Sequence, residues 1–121
     1  MLPEEVVCPE ELSWVRNLDG AITVCDRDGI ILYMNQRSAD QFQKYGGYAL
    51  VGENLLNCHP EPARSKLLEM LIHPMDNLYT TEKNGQKKII IQKPWMEDGT
   101  FKGVVEISFL LPENMAHFIR E

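Results

Sequence analysis

The residues best suited to chemistry in this chain are two neighbours, Cys58 and His59, which are followed by Pro60. A thiol and an imidazole can each ligate heme iron or a transition metal. The pattern therefore makes His59, with Cys58 beside it, a candidate heme or metal ligand. The alternative is a buried cysteine and a helix-capping histidine. We favour that alternative, because adjacent residues rarely face one ligand and no second Cys/His group lies nearby in sequence.

Sequence signatures of catalysis are absent. The chain contains no G-x-S-x-G, no H-E-x-x-H and no phosphate-cradling glycine loop. Cys58 could act as a nucleophile with His59 as its base, but sequence neighbours seldom reach the hydrogen-bond geometry that this pair needs. We therefore expect that the protein is not an enzyme.

The composition indicates one acidic globular domain. The chain has 121 residues, of which 44% are hydrophobic and 25% charged. Its 18 acidic and 12 basic residues give a net charge of −6, which disfavours nucleic acids and anionic membranes as partners. The three cysteines are widely spaced, as is typical of free thiols in a reducing compartment. With no secretory signal and no long apolar run, we expect a cytoplasmic protein.

The first third of the sequence predicts a helix and then a hairpin. Apolar residues recur at helical spacing between Pro9 and Leu18, which predicts a short amphipathic helix. Ala21–Cys25 and Ile30–Met34 are apolar runs joined by a turn that ends in Asp-Gly, a strong hairpin signal. Asn35 follows as the cap of a further helix that reaches Tyr45.

The remainder predicts one central helix and three strands. Ala63, Leu67, Met70 and Leu71 form one apolar helix face, which ends before Pro74. Turns at Asn84-Gly85 and Glu97-Asp98-Gly99 separate three strands, and a last short helix is expected near the end of the chain. We interpret the Lys87-Lys88 pair as a solvated strand edge. The ranges concerned are Asn77–Lys83, Lys87–Trp95 and Gly103–Leu111 for the strands and Glu113–Glu121 for the helix.

Together these elements predict an α+β fold. We expect a five-stranded antiparallel sheet with helices packed on one face, plus the short N-terminal amphipathic helix. The predicted organisation is a lead-in and helix over residues 1–18, the domain over residues 19–112, and a C-terminal tail over residues 113–121.

The order and spacing of these motifs resemble a PAS domain between about Asp19 and Ser108. The likeness lies in the run Val24–Gly29, in Asn35 after the second strand, in Gly52 before the central helix, and in the two closing strands. Sensory members of the family often end the last strand in Asp-Ile-Thr, whereas this chain has Leu110-Leu111-Pro112 there. The resemblance implies a cupped sheet closed over by helices, with a small ligand or cofactor between sheet and central helix.

The resemblance also implies candidate sites. The outer sheet face and N-terminal helix of PAS domains often form dimers, so we expect an interface at Leu12, Trp14 and Val15. Flavin photosensors of the family carry a cysteine where this chain has Leu55, so we do not expect flavin. An apolar pocket is expected, although the same residues could simply fill a core. These residues are Ile22, Val24, Phe42, Leu55, Leu56, Leu67, Leu71, Ile89, Ile91, Val105 and Ile107.

Three functions remain open from the sequence. The first is a sensory signalling module that binds a small ligand and pairs with itself, as a homodimer, or with a partner such as a histidine kinase. The second is a pure dimerisation domain with a filled core. The third is a heme-based redox or gas sensor that uses His59.

Overall fold

The sheet has the predicted architecture. The structure is a computed structural model that describes residues 12–121. Five strands form one antiparallel sheet in the order β2-β1-β5-β4-β3, which confirms the predicted α+β fold. The first hairpin thus lies beside the last strand, and the sheet joins both ends of the domain. The strands are β1 (Ala21–Asp26), β2 (Ile31–Met34), β3 (Asn77–Lys83), β4 (Gln86–Glu97) and β5 (Thr100–Leu110).

The first helix precedes β1, and the other two lie between β2 and β3 in sequence and pack on one face of the sheet. They are α1 (Ser13–Arg16), α2 (Gln36–Gln41) and α3 (Ala63–Ile72), with single 3-10 turns between α2 and α3. Within the described residues, the predicted helix from Pro9 to Leu18 is limited to α1, and its first part lies outside them. The helix predicted up to Tyr45 is α-helical only to Gln41.

Asn35 fixes the junction of these elements. Its buried side chain accepts hydrogen bonds from the backbone N–H groups of Ile22 and Ser38 and donates to the carbonyls of Val15 and Gly20. These four bonds use the full capacity of the amide. Asn35 is therefore the predicted cap of α2 and also the link between α1, β1 and α2.

The core lies between the helices and one face of the sheet, here called the inner face. Burial alternates along the central strands, and the buried positions of β1 and β5 include Thr23, Cys25, Val104 and Glu106. The main apolar cluster combines these strand residues with residues of the helices and 3-10 turns. Its members are Cys25, Ile31, Met34, Phe42, Leu50, Leu55, Cys58, Leu67, Met70 and Val104.

The structure contradicts the inward-facing residues that we predicted for β1, β4 and β5. Six strand positions that we assigned to the pocket are half-buried and alternate with the inner residues, so they lie on the opposite face, here called the outer face. The reason is that the outer face of these strands is the more apolar one, whereas the inner face includes Thr23, Gln92 and Glu106, so the apolar residues do not mark the inner face. The six residues are Ile22, Val24, Ile89, Ile91, Val105 and Ile107.

Two smaller predictions are also wrong. Glu113–Glu121 forms no helix, because a short segment with few tertiary contacts cannot offset the cost of helix nucleation. The Lys87-Lys88 pair is not at a sheet edge, because β4 lies between β5 and β3. The outermost strands are β2 and β3.

Candidate ligand-binding site

A cleft of about 680 Å³ opens between the start of α3 and the inner face of β3 and β4. Phe42, Pro60 and Pro62 contribute apolar walls on the helix side, and Ile90 contributes one from the sheet. A volume of this size is in the range that small-molecule sites occupy. The full lining is Gln41, Phe42, Cys58, His59, Pro60, Glu61, Pro62, Ala63, Lys66, Asn77, Tyr79, Thr81, Lys88, Ile90 and Glu106.

A chain of buried polar side chains lies on the inner face beside this cleft. Glu106 on β5 accepts at Oε1 from His59 Nε2, at 3.2 Å, and from Gln92 Nε2, at 2.8 Å. Gln92 in turn accepts from Asn77 Nδ2 at 2.8 Å. His59, Gln92 and Glu106 are all buried. Because buried polar groups are costly unless hydrogen-bonded, this chain of contacts fixes the side chains in place.

The contacts of His59 indicate an imidazolium. Nδ1 lies 3.0 Å from the Leu55 carbonyl oxygen and Nε2 lies 3.2 Å from the Glu106 carboxylate, and both oxygens are acceptors. Both ring nitrogens must therefore donate, which requires the protonated ring. Burial lowers the pKa of His59, but contacts with Cys58, Glu106 and the Leu55 carbonyl outweigh it and raise the pKa to about 10.

This geometry does not fit His59 as an axial heme ligand. An imidazolium has no lone pair for iron, and Nε2 already faces Glu106. Cys58 Sγ donates to the Leu55 carbonyl at 3.2 Å, which is a structural contact within its own turn. Residues 12–121 contain no group of three or more His, Cys, Asp or Glu side chains that could hold a metal.

The other ionisable groups near the site are consistent with a binding role. Burial, followed by the charge of Glu106, raises the pKa of the Tyr79 phenol, so this side chain remains a hydrogen-bond donor at the cleft wall. Burial raises the pKa of the Cys25 thiol to about 11, with the charges of Asp26 and Glu106 contributing. Cys25 is thus an unreactive member of the core.

Few of the predicted pocket residues lie at the cleft. Of the eleven, Phe42 lines it. Leu55 and Leu67 belong to the packed core, and Leu56 and Leu71 pack against that core. The remaining six are the outer-face residues named above. The predicted pocket was apolar, whereas the observed site combines apolar walls with polar side chains on the inner face of the sheet.

Sequence reasoning missed Glu106, Asn77, Tyr79 and Lys88. Glu106 stands between Val105 and Ile107, and in such an alternating strand the polar residue is ordinarily the solvent-facing one. One feature of the sequence indicates that the solvent-facing side cannot be assumed. β4 contains Ile89-Ile90-Ile91, which places apolar side chains on both faces of the strand and indicates that both faces are covered or paired.

The predicted interface residues lie on or beside α1. Trp14 is 63% exposed and Leu12 is 40% exposed, whereas Val15 is half-buried and its carbonyl accepts from Asn35. The structure therefore places two large apolar side chains at the surface near the start of the sheet. None of the helices in the described part of the chain has the length and apolar character that a membrane span requires.

Solved structures of sensory proteins share this fold. VqmA of Vibrio cholerae, a dimeric LuxR-type receptor, is 14% identical over 88% of this chain, with a TM-score of 0.62. VqmA bound to DPO matches over 86% of this chain with the same TM-score. The PAS domain of Bordetella pertussis BvgS is 20% identical over 87% of this chain and 89% of that domain, with a TM-score of 0.58.

A sensory box histidine kinase from Vibrio cholerae is 18% identical over 84% of this chain and 89% of that chain, with a TM-score of 0.60. This chain covers 54% of the VqmA chain. No protein-family model matches the sequence, and no curated protein matches it. The predicted PAS-like fold is confirmed: this chain has the fold of a PAS domain.

Proposed function

We propose that this protein is a cytoplasmic sensory module that binds a small ligand in the inner-face cleft and signals through protein contacts. The observation that carries the proposal is the buried polar chain of His59, Glu106, Gln92 and Asn77 beside an open, mostly apolar cleft. A core with no ligand to recognise has no need of these groups, because apolar residues would fill the same space at lower cost.

The similar structures support the sensory part of the proposal. They include sensor histidine kinases and VqmA, a receptor that has been solved bound to DPO. By analogy, we propose a second copy of this chain or a histidine kinase as the partner. No catalytic role is proposed, since the buried imidazolium of His59 cannot act as a base towards Cys58.

The outer face supports the protein contacts. Ile22, Ile107 and Ile91 lie side by side across three neighbouring strands. Phe109 and Leu78 continue this surface and are 41% and 55% exposed. An apolar sheet face of this kind is typical of an interaction surface. We propose that it forms the dimer or partner contact together with Leu12, Trp14 and Val15.

Native mass spectrometry of freshly purified protein tests the ligand. Thr81 lines the cleft, and Thr80 is its neighbour on the other face of the same edge strand. We expect a bound small molecule on wild type and on Thr80→Trp, and none on Thr81→Trp, whose indole would occupy the cleft. Equal occupancy of both variants, or no bound species on any of them, would contradict the proposal.

The second candidate is a pure dimerisation domain, which the apolar outer face favours. It predicts self-association with no small molecule bound in the same spectra. Heme sensing through His59 would first have to break the contact with Glu106. Reconstitution with heme distinguishes this third function, because it requires an absorption band that is lost in His59→Ala.

A further inference from the structure

The two oxygens of the Glu106 carboxylate differ in their hydrogen bonds. Oε1 accepts both hydrogen bonds, from His59 and from Gln92. Among residues 12–121, no group donates to Oε2. Glu106 is only 5% exposed and lines the cleft. Glu106 lines the cleft, so Oε2 can accept a hydrogen bond from a donor on a molecule bound there.

A second feature of the cleft is a cation without an anionic partner. Lys88 is half-buried, lines the cleft and donates only to the neutral Gln41 amide, at 3.3 Å, among the described residues. The carboxylate of Glu61, which also lines the cleft, is already held by the backbone and hydroxyl of Ser65. Among the described residues it forms no ion pair with Lys88, whereas a ligand carboxylate could do so.

These two features lie on neighbouring strands, β5 and β4. Glu106 pairs with Gln92 on β4, and Lys88 lies four residues earlier, about 13 Å along the backbone. Glu106, Lys88 and Ile90 all line the cleft, and Ile90 lies between Lys88 and Gln92 on β4. Phe42 lines the same cleft from the helix side. The cleft thus presents an acceptor and a cation with apolar residues between them, which suits a small ligand with a polar group at each end.

We infer that the ligand is a small aromatic acid that donates an N–H or O–H to Glu106 and presents its carboxylate to Lys88. The inference rests on the proposed function and adds the chemical class of the ligand. His59 has a defined part in it: its Nε2 donates to Oε1 and leaves Oε2 as the acceptor for the ligand.

Three matched probes test the inference by calorimetry. Indole-3-carboxylate has both the N–H and the carboxylate, 1-benzofuran-3-carboxylate lacks the N–H, and 3-methylindole lacks the carboxylate. We expect indole-3-carboxylate to bind at least about tenfold more tightly than the benzofuran acid, because a hydrogen bond to a charged group is lost. We expect 3-methylindole to bind more weakly as well, with an affinity that is independent of salt.

Variants assign these preferences to residues. Glu106→Gln should bring the ratio of the affinities for the indole and benzofuran acids close to one, because an amide N–H replaces the acceptor Oε2. Lys88→Gln should remove the advantage of the carboxylate. Lys87→Gln should retain it, because Lys87 lies on the same strand but pairs with Glu82 outside the cleft. The comparison of the three probes on wild type does not depend on any variant folding.

The outcomes separate this inference from the proposed function. Equal binding of the indole and benzofuran acids to wild type would overturn the inference. So would failure of all three probes to bind a protein that does carry a small molecule in native mass spectra; in that case the proposed function stands. If no probe binds and no small molecule co-purifies, both the inference and the proposed function are wrong.

Discussion

At the scale of single residues, the site depends on which atoms His59 and Glu106 present to each other. His59 faces an acceptor at each ring nitrogen, and Glu106 receives two donors at one oxygen. The sequence identifies His59 as a candidate ligand, but it does not identify its hydrogen-bond partner Glu106, which lies 47 residues away. Contacts between residues so distant in sequence depend on the fold and are not visible in a local motif.

The stability of the protein should fall with pH because of His59. Its pKa is raised from an ordinary value of 6.5 to about 10 in the folded state. The stabilisation is therefore fully present below pH 6.5 and is lost as the pH rises to about 10. The slope across this interval is at most about 1.4 kcal/mol per pH unit. Urea unfolding from pH 6 to 10 measures it.

The matched variants for this measurement are His59→Gln and His73→Gln. His59→Gln should be less stable at neutral pH and should lose most of the slope. His73 is exposed, so its replacement should leave the slope unchanged. Parallel stability curves for wild type and His59→Gln would contradict the imidazolium assignment.

Asn35 should be among the most important single polar residues for stability. Asn35→Ala removes four hydrogen bonds and leaves buried backbone groups without partners. We expect a loss of more than about 2 kcal/mol in the free energy of unfolding. Asn57 is exposed, so Asn57→Ala should cost less than about 0.5 kcal/mol. Similar denaturation midpoints for the two variants would show that Asn35 does not link the elements as described.

At the scale of elements, the strands were predictable in position but not in orientation. Turn dipeptides such as Asn84-Gly85 fixed where β3 ends and β4 begins, because positive φ angles are required there. Orientation depends on which apolar face the helices cover. The small inner residues Ala21, Thr23 and Cys25 leave room for the helices, whereas the larger Ile22 and Val24 lie outside.

Adjacent valines on β5 test this orientation. Val104 is 1% exposed and belongs to the core, whereas Val105 is half-buried on the outer face. Val104→Asp should prevent folding or destabilise the protein by more than about 4 kcal/mol, since it buries an unpaired charge. Val105→Asp should fold and weaken self-association. Circular dichroism melting and light scattering measure both effects, and the reverse order of stabilities would invalidate the face assignment.

Gly103 is required where β5 passes β1. A β-carbon at this position would lie 1.9 Å from the carbonyl oxygen of Cys25, so no side chain fits without a backbone shift. Gly103→Ala should therefore lower the melting temperature by several degrees, in line with a cost of about 1–3 kcal/mol. Gly20 meets its neighbours at ordinary distances, and Gly20→Ala is the control. Equal melting temperatures would show that the strands approach less closely than described.

At the scale of the whole molecule, the order of elements was sufficient to predict a PAS-like sheet. The two hairpins meet through β1 and β5, which no local pattern requires but which closes the sheet into one unit. The helix predicted for Glu113–Glu121 does not form, because helix formation there would depend on tertiary contacts that the segment lacks. The cleft could not be predicted either, since it depends on how the 3-10 turns and α3 sit above β3 and β4.

Both proposals require that the ligand binds on the inner face of the sheet, beside Glu106. Backbone amide chemical shifts during a titration with indole-3-carboxylate test it most directly. We expect saturable shift changes at Thr81, Ile90 and Glu106, with the neighbouring outer-face positions Ile22 and Phe109 much less affected. Changes confined to the outer face, with the inner residues silent, would contradict it.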